Sequence, residues 1–144
     1  MNNDAPTEAH AKALVVAYAA LNRNDITGFV KDFDSNVERI EPSDFPQAGT
    51  YNGIEAVTAH VTKGRGSWAE GCCEPQMYMV SGNKIIMLIQ VRARLKTETT
   101  WREGQTADAF TFRDGKIVQF RTFFDAQQAL DWAGANQKNW LPLP

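Results

Sequence analysis

The first third of the chain carries apolar residues at helical spacing. Positions i, i+4 and i+7 predict a helix over residues 7–22, with Thr7 or Asp4 as its N-terminal cap. Asn24 is predicted to open a second helix after a very short connection. The apolar positions of the two helices are Leu14, Tyr18 and Leu21, and then Ile26, Phe29, Val30 and Phe33.

After these helices the pattern becomes mainly that of strands. A strand over residues 37–41 should end at Pro42, because proline cannot donate to a strand ladder. Residues 43–52 are predicted to form a loop, and residues 54–63 a third helix. Long strands rich in β-branched and aromatic residues are predicted at 74–80, 84–96, 105–113 and 116–124.

The end of the chain predicts one more helix. Asp125 should cap it, with Gln128 at the capping-box position and Gly134 at its end, and residues 135–144 should form a tail. Helices followed by an antiparallel meander indicate an α+β fold in one domain, residues 1–144. We expect a cone-shaped, curved antiparallel or mixed sheet, packed against the N-terminal helices and enclosing a pocket.

Alternation along the strands separates an apolar face from an arginine-containing face. The apolar face, which includes Val118, should line the pocket. It should contact a small apolar or aromatic ligand through Met87, Ile89, Val91, Phe110, Phe120, Thr122 and Phe124. The convex face carries Arg92, Arg94, Arg121 and Phe123, a composition enriched at protein interfaces. We therefore expect a homodimer through the convex face, with a solvated arginine stripe as the alternative.

Composition limits the function classes. Apolar residues are 43%, charged residues 22% and the net charge is -2, so neither nucleic acid nor an anionic membrane is an expected partner. No apolar stretch approaches the roughly 18 residues of a spanning helix, and no signal-peptide pattern precedes the first helix. The adjacent Cys72 and Cys73 should be reduced, which favours a cytoplasmic location. No phosphate-binding glycine loop, zinc pattern or nucleophile elbow is present, so no cofactor or metal is expected.

Three titratable residues are candidates for catalysis. Asp108 shares the pocket face with two phenylalanines, so burial should raise its pKa. Glu41 ends a strand where a loop departs, and His60 lies among apolar residues of the third helix. The structural alternatives are a hydrated or arginine-paired Asp108, a solvated Glu41 and a satisfied core His60. Tyr18 and Trp68 are ligand-binding candidates. The alternatives are a core position for Tyr18, which its helical spacing favours, and an interface position for Trp68, which lies outside the predicted elements.

Three stretches resemble the ketosteroid-isomerase and SnoaL-like polyketide-cyclase families of the nuclear-transport-factor-two-like superfamily. They are Ala20-Leu21-Asn22-Arg23-Asn24-Asp25, Glu41-Pro42 and the run from Ala107 to Val118, and the resemblance extends over about residues 7–134. It implies the cone fold and pairing of domains sheet against sheet. It also implies a general-base role for Glu41 and a neutral, hydrogen-bond-donating role for Asp108.

The carry-over from these families is partial. Ala17 stands where the isomerases have their catalytic tyrosine, and Tyr18 is one position away, about 100° around a helix. Thr122 stands where epoxide-hydrolase relatives have an aspartate. Steroid isomerisation itself is therefore not expected.

Three functions remain open from the sequence. The first is an isomerase- or cyclase-type enzyme in which Glu41 removes a proton next to a carbonyl, and Asp108, aided by His60, stabilises the enolate. The second is a binding module that holds a small lipophilic ligand without chemistry. The third is an interaction role centred on the arginine-rich face.

Overall fold

The computed structural model describes residues 5–144 of the 144-residue chain. Its elements in chain order are α1 (Glu8–Asn22), α2 (Ile26–Phe29), β1 (Phe33–Glu41), β2 (Gly49–Asn52), α3 (Ile54–Gly66), β3 (Trp68–Ser81), β4 (Lys84–Leu95), β5 (Arg102–Arg113), β6 (Lys116–Phe123), α4 (Ala126–Ala133), a 3₁₀ turn (Gln137–Asn139) and β7 (Leu141–Pro142). Thr7 occupies the N-cap position of α1, whereas Asp4 lies outside the described residues. No helix in residues 5–144 has the length and apolar character needed to cross a membrane.

One curved, open sheet contains the seven described strands in the order β2-β1-β6-β5-β4-β3-β7. β1 runs parallel to β6, and the other neighbouring strands are antiparallel. Helices α1, α2 and α3 contribute to the hydrophobic core on the concave face, and α4 packs on the convex face. The predicted α+β cone with a mixed sheet is confirmed.

The second helix is much shorter than its apolar spacing predicted. Asn24 has a left-handed backbone with φ of 63°, and α2 begins after Asp25, whose carboxylate caps it. The helix ends at Phe29, and Phe33 already belongs to β1. Both rings pack edge-on against Phe120, so the regular spacing reflects a shared core contact and not one continuous helix.

The sequence analysis missed β2 and the first part of β3, because both segments contain residues that are typical of turns or that interrupt strands. The predicted loop 43–52 contains β2, which pairs with β1 so that Tyr51 lies opposite Arg39. β3 begins at Trp68, so the expectation that Trp68 lies outside regular structure is wrong. Pro75 lies inside β3, next to a register shift that accommodates its missing N–H.

The predicted tail, residues 135–144, packs against the domain. Trp140 packs on the convex-face core, the two residues of β7 pair with β3, and Leu143 reaches the concave-face core. The end of the chain thus wraps around one edge of the sheet.

A β-bulge between β5 and β6 changes which residues face inwards. Phe112 pairs with Ile117 and Thr111 pairs with Gln119, so Val118 is the extra residue. Ile117 is consequently buried in the inner core, where simple alternation had placed Val118.

Phe124 does not line the cone, which corrects its predicted place on the pocket face. It follows the end of β6 and is 52% exposed. Its ring packs edge-on against Phe45 of the β1–β2 loop, with 6.3 Å between ring centroids.

Helix α4 covers part of the convex face that was expected to form the dimer contact. Phe123 is buried against Trp132, with 5.2 Å between their centroids, and the Arg121 guanidinium lies 5.0 Å from the Phe123 ring. Phe123 is therefore a core residue and not an exposed contact. Two arginines beyond α4 pair with acids of their own chain, Arg92 with Glu103 and Arg94 with Glu70.

The homodimer stays a prediction, now through the uncovered part of the convex face around Arg92. Light scattering at micromolar concentration should give twice the 16.1 kDa mass of the chain. Arg92→Glu should weaken association, because it places a like charge beside Glu103. Arg23→Glu, at the exposed end of α1, is the matched control. A monomeric wild type contradicts the dimer, and a dimer indifferent to Arg92→Glu must use another surface.

Asn22 fastens the end of α1 to the edge of the sheet. Its side-chain amide donates to the Cys73 carbonyl and accepts from the Cys73 N–H, each at 2.8 Å. The amide therefore takes the place of a neighbouring strand. Because Tyr18 lies one turn earlier on α1, this contact also fixes Tyr18 over the concave face.

Asn22→Ala should lower the free energy of unfolding by about 1–3 kcal/mol, because it leaves the backbone groups of Cys73 without partners. Urea unfolding followed by circular dichroism measures this loss. Asn52→Ala, at an exposed position of β2, should cost within about 0.5 kcal/mol. Equal losses in the two variants would show that the amide contact does not stabilise the fold.

Candidate functional site

The buried acid Asp108 lies at the centre of the concave face. The sheet register places it opposite Thr122 of β6 and Met87 of β4. The Thr122 hydroxyl donates to Oδ1 at 2.6 Å, and the Tyr18 hydroxyl, from α1, donates to Oδ2. The predicted inward orientation of Asp108 is confirmed.

Burial dominates the protonation of Asp108. It raises the pKa of the carboxyl, while the charge of Arg39 and the hydroxyls of Thr122 and Tyr18 act in the opposite direction. Burial, followed by the Asp108 charge, also raises the pKa of Tyr18 well above its ordinary value. Tyr18 is therefore a neutral hydroxyl donor at physiological pH, and Asp108 accepts a proton more readily than an exposed aspartate.

Glu41 and His60 form a second polar pair on the same side of the sheet. His60, on α3, lies with Nε2 2.7 Å from Oε2 of Glu41, at the end of β1; their side chains are 5% and 14% exposed. Tyr51 stacks on the imidazole at 3.9 Å between centroids. The prediction that His60 reaches a carboxylate at the wall of the cone is confirmed.

The environment keeps His60 neutral near physiological pH. Burial lowers the pKa of the imidazole and outweighs the opposing effect of Glu41. A neutral ring that donates its Nε2–H to Glu41 carries its lone pair on Nδ1. Nδ1 is buried and has no hydrogen-bond partner within residues 5–144. A carboxylate that orients an imidazole with a free lone pair is the arrangement of a general base.

The two pairs lie in one row across three strands. The register of β1 with β6 sets Ile40 beside Arg121, which brings Glu41 to the level of Thr122, and Thr122 lies opposite Asp108. At about 4.8 Å between strands, the backbones of Glu41 and Asp108 are about 10 Å apart. Thr122 lies between the two acids, so the row has a carboxyl group at each end and a hydroxyl in the middle.

Arg39 is the site residue that sequence reasoning missed. It is buried on β1, with its guanidinium carbon 3.9 Å from the centroid of the Phe120 ring. Its Nη1 donates to the carbonyls of Ile40, at 2.9 Å, and Phe120, at 3.3 Å. Alternation along β1 from Val37 to Glu41 would have placed Arg39 on the inner face.

Most predicted ligand contacts belong to the packed interior. Phe110 stacks on Phe120 at 4.8 Å, and Tyr18 approaches Phe110 edge-on at 6.2 Å. The predicted contacts that lie in this inner core or pack against it are Tyr18, Met87, Ile89, Val91, Phe110 and Phe120. Their inward orientation agrees with the sequence analysis, and their contact with a ligand stays a prediction.

Trp68 lies at a different place on the domain. It lines a surface cavity of about 140 Å³, together with Asn22, Asn24, Arg65 and residues 69–71. The Arg65 guanidinium lies over the Trp68 ring, 4.4 Å from its centroid. The structure therefore does not bring Trp68 into the row of Glu41 and Asp108.

Within residues 5–144, the two cysteines and the acids do not form a metal centre. Burial raises the pKa of Cys73 to about 12, so its thiol is protonated at neutral pH. Residues 5–144 hold no group of three or more His, Cys, Asp and Glu side chains arranged around a metal position. The groups that the described site offers are hydrogen-bond donors, an imidazole and carboxyls.

Fold and site together define a cone-shaped α+β domain with acid and base groups buried on its concave face, and solved structures share this fold. A protein described as NTF2-like, from Burkholderia xenovorans, is 26% identical, with 89% of this chain and 97% of that chain covered and a TM-score of 0.70. TerC, co-crystallised with polyporic acid, is 18% identical, with 86% and 96% covered and a TM-score of 0.70. A protein with a ketosteroid isomerase-like fold from Catenulispora acidiphila, in complex with trimethylamine, is 12% identical, with 91% and 98% covered and a TM-score of 0.70.

The family follows from the sequence. A family model for the SnoaL-like domain matches residues 16–120, so the chain belongs to the SnoaL-like family, as the resemblance predicted. The matched segment contains Tyr18, Arg39, Glu41, His60 and Asp108. No curated protein sequence matches this chain.

Asp108→Asn should change stability in a pH-dependent way. Because the folded state raises the pKa of Asp108, the stabilisation it provides is complete below the unfolded value of about 3.9 and is lost as the pH rises through the folded pKa. The melting temperature of the variant relative to wild type should therefore increase as the pH rises above about 4. Asp44→Asn, in an exposed loop, is the control. A difference that stays constant with pH would contradict the raised pKa.

Proposed function

We propose that this chain is an isomerase- or cyclase-type enzyme that moves a proton next to a carbonyl group of a small apolar or aromatic substrate. One observation carries the proposal: the cone holds an imidazole–carboxylate pair and a buried acid in one row on its concave face. Such a row supplies a base for the substrate carbon and donors for the substrate oxygen.

The Glu41–His60 pair acts as the base. The proton leaves the substrate carbon for the lone pair on Nδ1 of His60, and Glu41 stabilises the imidazolium through Nε2–H. The role expected for Glu41 alone is thus shared, with Glu41 orienting the ring that takes the proton. A positioned general base contributes about 10²–10⁴-fold to the rate.

Asp108 acts at the oxygen that gains charge. Its raised pKa favours the neutral acid, which donates a hydrogen bond to the enolate, while Tyr18 and Thr122 hold the carboxyl in place. A donor fixed in an apolar environment stabilises the developing charge more than a donor in water.

A non-catalytic binding module for a small lipophilic ligand is the second candidate. Two observations favour it: both hydroxyl donors are already directed at Asp108, and aromatic rings fill the inner core. The polyporic acid and trimethylamine bound to two proteins of this fold support a small-ligand site under either candidate.

Hydrogen–deuterium exchange tests the enzyme proposal. A panel of enolisable aromatic ketones is incubated with the protein in D₂O, and exchange at the carbon next to the carbonyl is followed by NMR. Glu41→Gln and His60→Gln should each slow exchange by about 10²–10⁴-fold. Glu103→Gln, a surface acid paired with Arg92, should leave the rate unchanged.

The same panel separates enzyme from binder. Some ketones could raise the melting temperature of wild type and of Glu41→Gln equally and yet show no exchange above the rate in buffer. This result would support the binding module and contradict the enzyme proposal. Exchange that survives both Glu41→Gln and His60→Gln would exclude the assigned base.

The pH profile of exchange should report His60. Since burial lowers its pKa below the ordinary value of about 6.5, the base stays deprotonated at neutral pH, and the fall of the rate on the acid side should lie below about pH 6.5. Deprotonation of Asp108 removes the donor to the enolate and should give a separate fall at higher pH. A profile without a fall on the acid side would contradict an imidazole base.

A further inference from the structure

Arg39 places a permanent positive charge inside the cone. The residue is 7% exposed, and Phe120 covers one face of the guanidinium. Nη1 donates to two backbone carbonyls, whereas Nε is buried without a hydrogen-bond partner within residues 5–144. Burial lowers the pKa of Arg39, but an arginine remains protonated in proteins. The Nε edge is thus a charged donor edge without an acceptor.

The two carboxyl groups whose charges act on Arg39, those of Asp108 and Glu41, are hydrogen-bonded to other residues. Glu41 bonds to His60 at 2.7 Å, and the two oxygens of Asp108 accept from Tyr18 and Thr122. The ion pairs of the described residues do not include Arg39. The positive charge of Arg39 therefore has no direct ion-pair partner among the described residues, because the nearby carboxyl groups are hydrogen-bonded to other side chains.

A buried cation in this state does not explain the stability of the fold. Replacing a buried charge by a well-packed apolar side chain is often neutral or stabilising. Two backbone carbonyls and one aromatic face can hold the guanidinium in position, yet they leave its Nε–H without an acceptor, and the planar fork of a guanidinium matches an oxyanion. This arrangement points to recognition of a ligand.

We propose that Arg39 makes the cone selective for a planar, conjugated oxyanion, such as the ionised enol of a vinylogous acid or β-dicarbonyl compound, over its neutral analogue. The inference rests on the proposed function, since an ionised enol has the charge that a substrate of the same site acquires when His60 removes its proton. The oxyanion accepts from the Nε edge of Arg39, and the conjugated plane lies in the row between Glu41 and Asp108.

The surroundings of Arg39 fit a planar aromatic ligand. Tyr51 lies opposite Arg39 in the β1–β2 register, and Phe120 lies on its other neighbouring strand. Glu41, two residues further on the same face, is the partly exposed member of the row. A ligand that enters beside Glu41 meets the Tyr51 ring, which stacks on His60, and the Phe120 ring, which covers the guanidinium.

Two probes of equal shape test this selectivity. 2-Hydroxy-1,4-naphthoquinone is an anion at neutral pH, and 2-methoxy-1,4-naphthoquinone is neutral. Isothermal titration should give wild type at least about tenfold tighter binding of the anion, as expected for charge-assisted hydrogen bonds. Arg39→Met should lose this preference while keeping the melting temperature within a few degrees. Arg65→Met, which removes the ring-stacked arginine at the Trp68 cavity, is the control and should retain the preference.

The possible outcomes distinguish failure of the Arg39 inference from failure of the enzyme proposal. Equal binding of the two probes by wild type, binding of neither, or an anion preference that Arg39→Met keeps would overturn the inference. A preference lost only in Arg65→Met would move the anion site to the Trp68 cavity and overturn it as well. If Arg39→Met does not fold, Arg39→Lys must show a reduced preference, because it keeps the charge and loses the planar fork. An Arg39-dependent anion preference without exchange of any ketone would retire the enzyme proposal and leave this inference standing.

Discussion

A carboxyl group enters an apolar interior only with hydrogen-bond partners, and this requirement governs the arrangement around Asp108. Its two oxygens are satisfied by Thr122 from the neighbouring strand and by Tyr18 from α1. The helix must therefore lie over the concave face at one height, and the Asn22 amide holds it there on the edge of β3. The hydrogen bond from Tyr18 to Asp108 therefore both positions α1 on the sheet and contributes to the environment that sets the protonation of the acid.

The strand order explains why a second polar pair meets the first. β1 inserts parallel to β6, between β6 and β2, so its inward residues continue the row that Asp108 and Thr122 begin. α3 follows β2 directly and carries His60 back over the end of β1, within reach of Glu41. A sheet that ended at β6 would keep the acid and have no base near it.

The sequence predicted those features that depend on regular periodicity. Asp108 and His60 were placed correctly because β5 and α3 are regular near them, so alternation and helical spacing hold. Val118 was misplaced because a bulge inserts one residue and reverses the alternation beyond it. Phe123 was misjudged because only the docking of α4 decides that this position is buried. β2 was concealed since its pairing with β1 is a tertiary contact between turn-forming residues.

Arg39 was missed for a different reason: alternation along β1 would have placed it inside, but an arginine is expected at the surface. Burial in this site affects ionisable groups differently, according to whether they can become neutral. Burial raises the pKa of Asp108 and lowers that of His60, so both groups move towards their neutral forms. Arg39 does not lose its proton, so it keeps its positive charge in an interior where water does not screen that charge. In the proposed mechanism, a neutral acid and a neutral base in one row, with a fixed cation two residues earlier on β1, stabilise a negative charge on the substrate more than they stabilise the uncharged substrate. An interior of this kind favours the enolate over the ketone, which is the direction that proton removal next to a carbonyl requires.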